Sequence, residues 1–247
     1  MNIVSLTVLI IAACVTATIS GFLGMGGGIV LLGVMSILMI PGVVVPIHGI
    51  VQLSSNTTRT LLFLKHVRWS VFLIYVVPAT LGAMGASVLW SGDKLHWFKP
   101  VIGAFIISYL IYRRYKPTVR NVPLWVYAPL GVCTGFLAIF VGATGPFLAP
   151  FMLRDDFTKE NIIATKSICQ FWVHLTKIPI FLSLGFDYTS HGVLLGCLII
   201  AVIGGTFLGK KLLGKISEAL FLTVFQVVLV AIAVYLMVPW LTGFWVG

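Results

Sequence analysis

A chain that crosses a bilayer can keep polar side chains only where they avoid lipid, and this chain carries such a set twice. Residues 43–64 read VVVPIHGIVQLSSNTTRTLLFL, apolar at both ends and long enough for a transmembrane helix. Within it His48, Gln52, Asn56 and Arg59 are spaced i, i+4, i+8, i+11, which puts them on one helix face. The same register returns 118 positions later, where Lys166, Gln170, His174 and Lys177 take the corresponding places. Phe63 and Phe181 also coincide. A charged residue at the centre of a membrane helix costs about 2.5–3.5 kcal/mol if it faces lipid, so each stripe is expected to face protein or a water-filled path. Two related stripes read as two walls of one site.

Only 9% of the residues are charged and 60% are hydrophobic, against about 25% charged in soluble domains. The apolar runs are unbroken rather than alternating, which excludes a β-barrel and predicts an all-α polytopic membrane protein. No stretch is long and polar enough to form a separate soluble domain. The net charge of +10 comes from basic residues in short loops. That placement orients helices in a lipid bilayer and gives no reason to expect nucleic acid. Cys14, Cys133, Cys169 and Cys197 lie in apolar runs without CxxC or metal-ligand spacing, so free thiols, no metal and no cofactor are expected. The start, MNIVSLTVLIIAACVTATIS, resembles a signal peptide, and Ile11-Ala12-Ala13-Cys14 resembles a lipoprotein cleavage box. No Lys or Arg precedes the apolar stretch and no polar mature domain follows it, so a retained first helix is expected.

The order of elements repeats as well, dividing the chain into 1–116 and 117–247. In the first half an apolar helix from residue 3 to 23 meets a glycine cluster, and a second apolar piece from 29 to 40 is too short to span upright. Together they predict a hairpin over 3–42, closed by Pro41-Gly42 and followed by spans at 43–64, 69–90 and 97–112. The second half predicts a hairpin over 124–154, with a short arm from 147 to 153, then spans at 160–182, 192–209 and 218–238. Small residues at Gly82, Ala83, Gly85 and Ala86, and at Gly204, Gly205 and Gly209, predict close helix contacts. Placing the basic loop Arg113–Arg120 in the cytoplasm puts Lys65, Arg68 and Lys210–Lys215 there by alternation. The two halves are then inverted repeats whose hairpins enter from opposite sides.

Gly24, Gly26, Gly27 and Gly28 are dense enough for backbone N–H groups to turn toward a ligand at the start of a helix beginning near Ile29. Gly142, Thr144 and Gly145 offer the same in the second half. The plainer alternative is a tight hairpin turn with close packing. For the stripes the alternatives are interhelical hydrogen bonding and, for Arg59, Lys166 and Lys177, snorkelling to water from near the helix ends. Gln52, Asn56, Gln170 and His174 lie nearer mid-membrane and are the better site candidates. All six acidic residues fall in loops or at helix ends. A site built from cations, amides, hydroxyls and glycine turns suits a small oxyanion. His48 and His174 are the histidines within the apolar spans, and histidine titrates near neutrality, so both are candidates for proton coupling, His174 foremost.

GFLGMGGG followed by an apolar arm, GFLAIFVGATGPFLAPF in the second half, and a polar helix after each resemble the TauE/SafE (TSUP) family of membrane permeases. The resemblance spans essentially the whole chain. It implies transport of sulfur-containing anions such as sulfite, thiosulfate or organosulfonates in the plasma membrane of a bacterium or archaeon. This chain departs from a symmetric pattern, having Ala143-Thr144-Gly145-Pro146 where the first half has a triple glycine. The expectation is a secondary anion transporter and exporter working by alternating access. It is not expected to be an enzyme. It would need no cofactor, and a homodimer is a candidate assembly. The glycine tips would supply backbone donors, the stripes would line the midplane, and Arg59, Lys166 and Lys177 would attract the anion. An assembly subunit using the stripes as helix glue competes with that reading. So does an intramembrane enzyme, though no GxSxG, HExxH or paired mid-membrane carboxylates occur.

Overall fold

A computed structural model describes residues 3–89, 122–215 and 217–242, with isolated positions at 104, 107 and 111. The expected span at 97–112 and the basic loop at 113–120 therefore lie outside the described residues. Those described form helices and no strands. The first half contains α1 (Ile3–Leu23), α2 (Gly27–Leu38), α3 (Pro41–Leu62) and α4 (Trp69–Val88). The second contains α5 (Tyr127–Val141), α6 (Gly145–Leu148), α7 (Lys159–Ser183), α8 (Gly192–Leu213) and α9 (Glu218–Thr242). Among the described residues, four segments are long and apolar enough to cross a membrane: Ile3–Leu23, Trp69–Val88, Leu124–Val141 and Thr189–Leu213. Their outward faces match that medium. On α4, Leu73, Val77 and Leu81 recur every fourth residue and are 64%, 62% and 61% exposed.

Glycine ends α1. Gly24 and Gly26 sit at φ +73° and +92°, in the left-handed region that other residues avoid, and the chain reverses there into α2. The new helix begins at Gly27, two residues before the expected Ile29, so Gly27 and Gly28 form its first turn. In the second half Gly142 (φ +80°) caps α5 in the same way. The return arm there is broken: α6 gives way to a 3₁₀ turn over Ala149–Met152, with Pro150 in its first turn. Pro41 was expected to close the first hairpin; it is instead the first residue of α3, where its missing N–H costs nothing.

The halves pack by exchange. α1 lies along α8, α4 along α5, and the two striped helices α3 and α7 meet at the centre. Swapping first-half for second-half elements turns the first of these pairs into the second and leaves the third unchanged. Small residues allow both outer contacts. A Cβ at Gly205 would stand 2.2 Å from the Cys14 carbonyl, and one at Gly135 only 1.9 Å from the Ala79 carbonyl. Gly82 and Gly209 are similarly close to facing backbone, whereas Gly85 and Gly204 have no described atom within 4 Å. Gly82, Ala83, Ala86, Gly205 and Gly209 of the expected small-residue stripes thus serve packing, and Gly85 and Gly204 face outward. The α4–α5 seam also holds a buried hydrogen bond, the Tyr75 hydroxyl donating to Thr134 Oγ1 at 2.6 Å while Thr134 donates to Leu130 O.

Basic residues gather at one end. Arg68 Nη2 donates to Asp156 O (3.1 Å), Lys210 Nζ to Leu62 O (3.1 Å) and Lys159 Nζ to Leu213 O (3.4 Å), joining the ends of α3 and α8 to the starts of α4 and α7. Phe157 lies between the Arg68 and Arg154 guanidiniums, 5.5 and 5.1 Å from its ring centre. At this end Thr158 caps α7. Its Oγ1 accepts from Asn161 N, and Asn161 Oδ1 accepts from Thr158 N, a reciprocal box whose loss typically costs about 1 kcal/mol. Asn161 Nδ2 donates onward to His66 O (2.8 Å). The start of α7, and with it the register of its stripe, is anchored to the loop that follows α3.

Candidate functional site

The two polar stripes face each other and the hairpin tips. His48, Gln52, Asn56, Arg59, Lys166, Gln170, His174 and Lys177 are all buried, none above 6% exposed. The three cations do not snorkel: Arg59 is 2% exposed, Lys166 3% and Lys177 0%. Each reaches a backbone carbonyl of a hairpin. Arg59 Nη1 donates to Ser20 O (3.1 Å), Lys166 Nζ to Gly24 O (2.9 Å) and Lys177 Nζ to Gly142 O (2.6 Å). Arg59 Nη2 also donates to Ser55 Oγ and Asn56 Oδ1, both at 3.2 Å. The orientation of Asn56 is fixed in turn by its amide, which donates to Gln52 O (2.8 Å).

Between the stripes lies a cavity of about 30 Å³, room for about two waters on a scale where one takes about 10–15 Å³. Its walls bring together much of the candidate set: His48, Gln52, Asn56 and Arg59 from α3, and Lys166, Gln170 and His174 from α7. Gly26 and Gly28 reach it from the first tip and Gly145 from the second. Each glutamine rests against the glycine of its own half. A Cβ on Gly28 would stand 3.3 Å from Gln52 Oε1, and one on Gly145 3.6 Å from Gln170 Oε1 and 3.1 Å from Lys166 Nζ. The His48 and His174 rings meet edge to face, their centres 6.0 Å apart.

Five other candidates stand outside the cavity wall. A Cβ on Gly27 would lie 1.8 Å from Thr16 O and 2.5 Å from Ser20 Oγ, so its missing side chain lets α2 pack against α1. Gly24 abuts Ile163 and Gly142 abuts Leu32. Thr144 is fully buried behind the second tip, and Lys177 props that tip through the Gly142 carbonyl. Ser20, Met25, Ile29, Ala143 and Pro146 complete the wall. Sequence reasoning did not find them, because they contribute backbone and apolar surface that residue type does not advertise. The glycine motifs around them were the available signal.

Among the described residues the wall is rich in donors and carries two cations without a carboxylate. Moving an ammonium or guanidinium out of water costs several kcal/mol even after relaxation, and a carbonyl dipole returns only part of that. Further polar atoms on the wall have no hydrogen-bond partner within the described protein: Arg59 Nε, Gln170 Nε2, and Nδ1 of both histidines. Arg59 Nε and Gln170 Nε2 can only donate. A negative ligand with several oxygens would satisfy them and offset the buried charge together.

Comparison with curated proteins and with solved structures gave no match. The family model described as "Sulfite exporter TauE/SafE" matches residues 9–236, nearly the whole length. Paired glycine-tipped hairpins, buried striped helices and long apolar spans are those of a multi-pass membrane protein, and the chain belongs to the TauE/SafE sulfite exporter family, a family of membrane transporters.

Proposed function

We propose that this chain is a secondary transporter that exports a small sulfur oxyanion, such as sulfite, or an organosulfonate, across the plasma membrane of a bacterium or archaeon. The observation that carries this reading is the central cavity, with Arg59 and Lys166 buried on its wall and no carboxylate beside them. Arg59, Gln170 and the exposed backbone of the tips would bind the oxygens, and Lys166 would supply charge. The cavity holds about two waters, less than the four heavy atoms of sulfite require, so the tips must part for the anion to enter. Alternating access follows if the first tip parts to open one side and the second to open the other. The exchanged packing of the halves supports an inverted repeat of that kind.

Binding is tested by thermal unfolding of the purified protein. A ligand at about 100 times its Kd stabilises the folded state by about 2.7 kcal/mol, which raises Tm by several degrees in a chain of this size. Sulfite, thiosulfate or sulfate should produce that shift while ammonium at equal ionic strength should not. An assembly subunit would show no selective shift with any of them. Sidedness is tested by cysteine labelling, which should place Lys65 and Lys215 on one membrane face and Asp93 and Asp187 on the other. Labelling of positions 65 and 187 from the same face contradicts the inverted arrangement.

A further inference from the structure

His48 Nε2 lies 2.8 Å from the Gly28 carbonyl oxygen. A carbonyl only accepts, so Nε2 must carry the proton of that bond. This leaves Nδ1 of the same ring, fully buried and without a partner among the described residues, on a histidine that lines the cavity. Nδ1 has two states. Unprotonated, it is a lone pair that repels a bare oxyanion and accepts only from an acidic O–H. Protonated, it donates to a bare oxyanion. Either way, contact between Nδ1 and a bound oxygen requires one proton between them.

We infer that the site binds one proton with each oxyanion, held between His48 Nδ1 and the anion. This rests on the anion reading above and adds a stoichiometry to it. The proton comes from the medium or arrives on the acid form of the substrate, and no bond other than N–H or O–H is made or broken. Among the described residues, the other charged or titratable groups near this ring are Lys166, His174 and Lys177 on α7 and Arg59 on α3; the described hairpin segments on the cavity wall contribute none. Arg59, Lys166 and Lys177 already donate to carbonyls, and the ring whose unpartnered nitrogen has a fixed role is His48. The Gly28 bond therefore moves the leading part in proton coupling from His174 to His48.

The test is titration calorimetry of the purified protein with sulfite, thiosulfate and sulfate at pH 8, each in two buffers of different ionisation heat. The difference in heat counts protons taken up. The expected result is about one proton per anion bound, with affinity falling about tenfold per pH unit above that pH. His48→Gln keeps an Nε2 donor for Gly28 but cannot titrate, and it should bind with no proton uptake and a flat pH profile. His174→Gln should retain the uptake. Binding by the wild type without proton uptake overturns the inference and leaves the anion reading standing, and this arm decides the matter even if His48→Gln does not assemble. Uptake lost in His174→Gln but retained in His48→Gln overturns the assignment to His48. Absence of binding with all three probes removes the small-oxyanion reading and this inference together.

Discussion

Lys166→Met is expected to abolish anion binding and transport while leaving the protein as stable as before, or more stable. Methionine keeps most of the length of the stem but removes the charge. In the wild type that charge is 3% exposed and, among the described residues, held by one hydrogen bond, to the Gly24 carbonyl. Removing an uncompensated buried cation relieves a desolvation cost, and replacing buried charge by apolar groups is often neutral or stabilising. The loss on the ligand side is large. A unit charge about 4 Å away at an effective dielectric of about 20 contributes about 4 kcal/mol, close to a thousandfold in affinity. Thermal unfolding and uptake measured on one preparation separate the two effects. If Lys166 served only to fasten the first tip, the variant would lose stability and keep its affinity.

Gly145→Leu should be the second most damaging change to transport, with the fold retained. Its backbone is outside the left-handed region, so a side chain is not strained there. A Cβ would point at Lys166 Nζ, 3.1 Å away, and Gln170, 3.6 Å away, and the rest of a leucine would fill a cavity of about 30 Å³. Uptake should fall at least a hundredfold in protein that still elutes as a folded species. Gly27→Leu should behave differently. Its Cβ meets the Thr16 backbone at 1.8 Å, which cannot move aside as a flexible side chain would, so little folded protein is expected. Equal effects of the two substitutions on folding would mean that the second tip, like Gly27, is only packing.

The contrast between these glycines marks how far the sequence could be read. Periodicity placed His48 to Arg59 and Lys166 to Lys177 on two faces, and those faces are buried against each other, because a stripe in an apolar helix has few places to go. The all-helical architecture was legible for the same reason. Which glycine meets the cavity was not legible, since Gly26, Gly27 and Gly28 are the same residue type and differ in backbone conformation and in what packs against them. The role of Lys177 was also hidden. Its place in the stripe resembles that of Lys166, but its partner Gly142 O lies 35 residues earlier, on an element whose path the sequence does not reveal. The second arm was expected as one short apolar piece over 147–153, and its division into α6 and a 3₁₀ turn over Ala149–Met152 was not legible.

Anion transport by this chain is measured by counterflow in proteoliposomes. Vesicles loaded with unlabelled sulfite, thiosulfate or sulfate are diluted into medium containing a trace of the same labelled anion. Transient accumulation of label is expected for at least one of these anions. That accumulation should be absent in empty liposomes and in Lys166→Met vesicles, and it should not be elicited by preloading with a cation. No accumulation for any sulfur oxyanion, from protein shown to be folded by its thermal transition, would contradict transport of a small sulfur oxyanion.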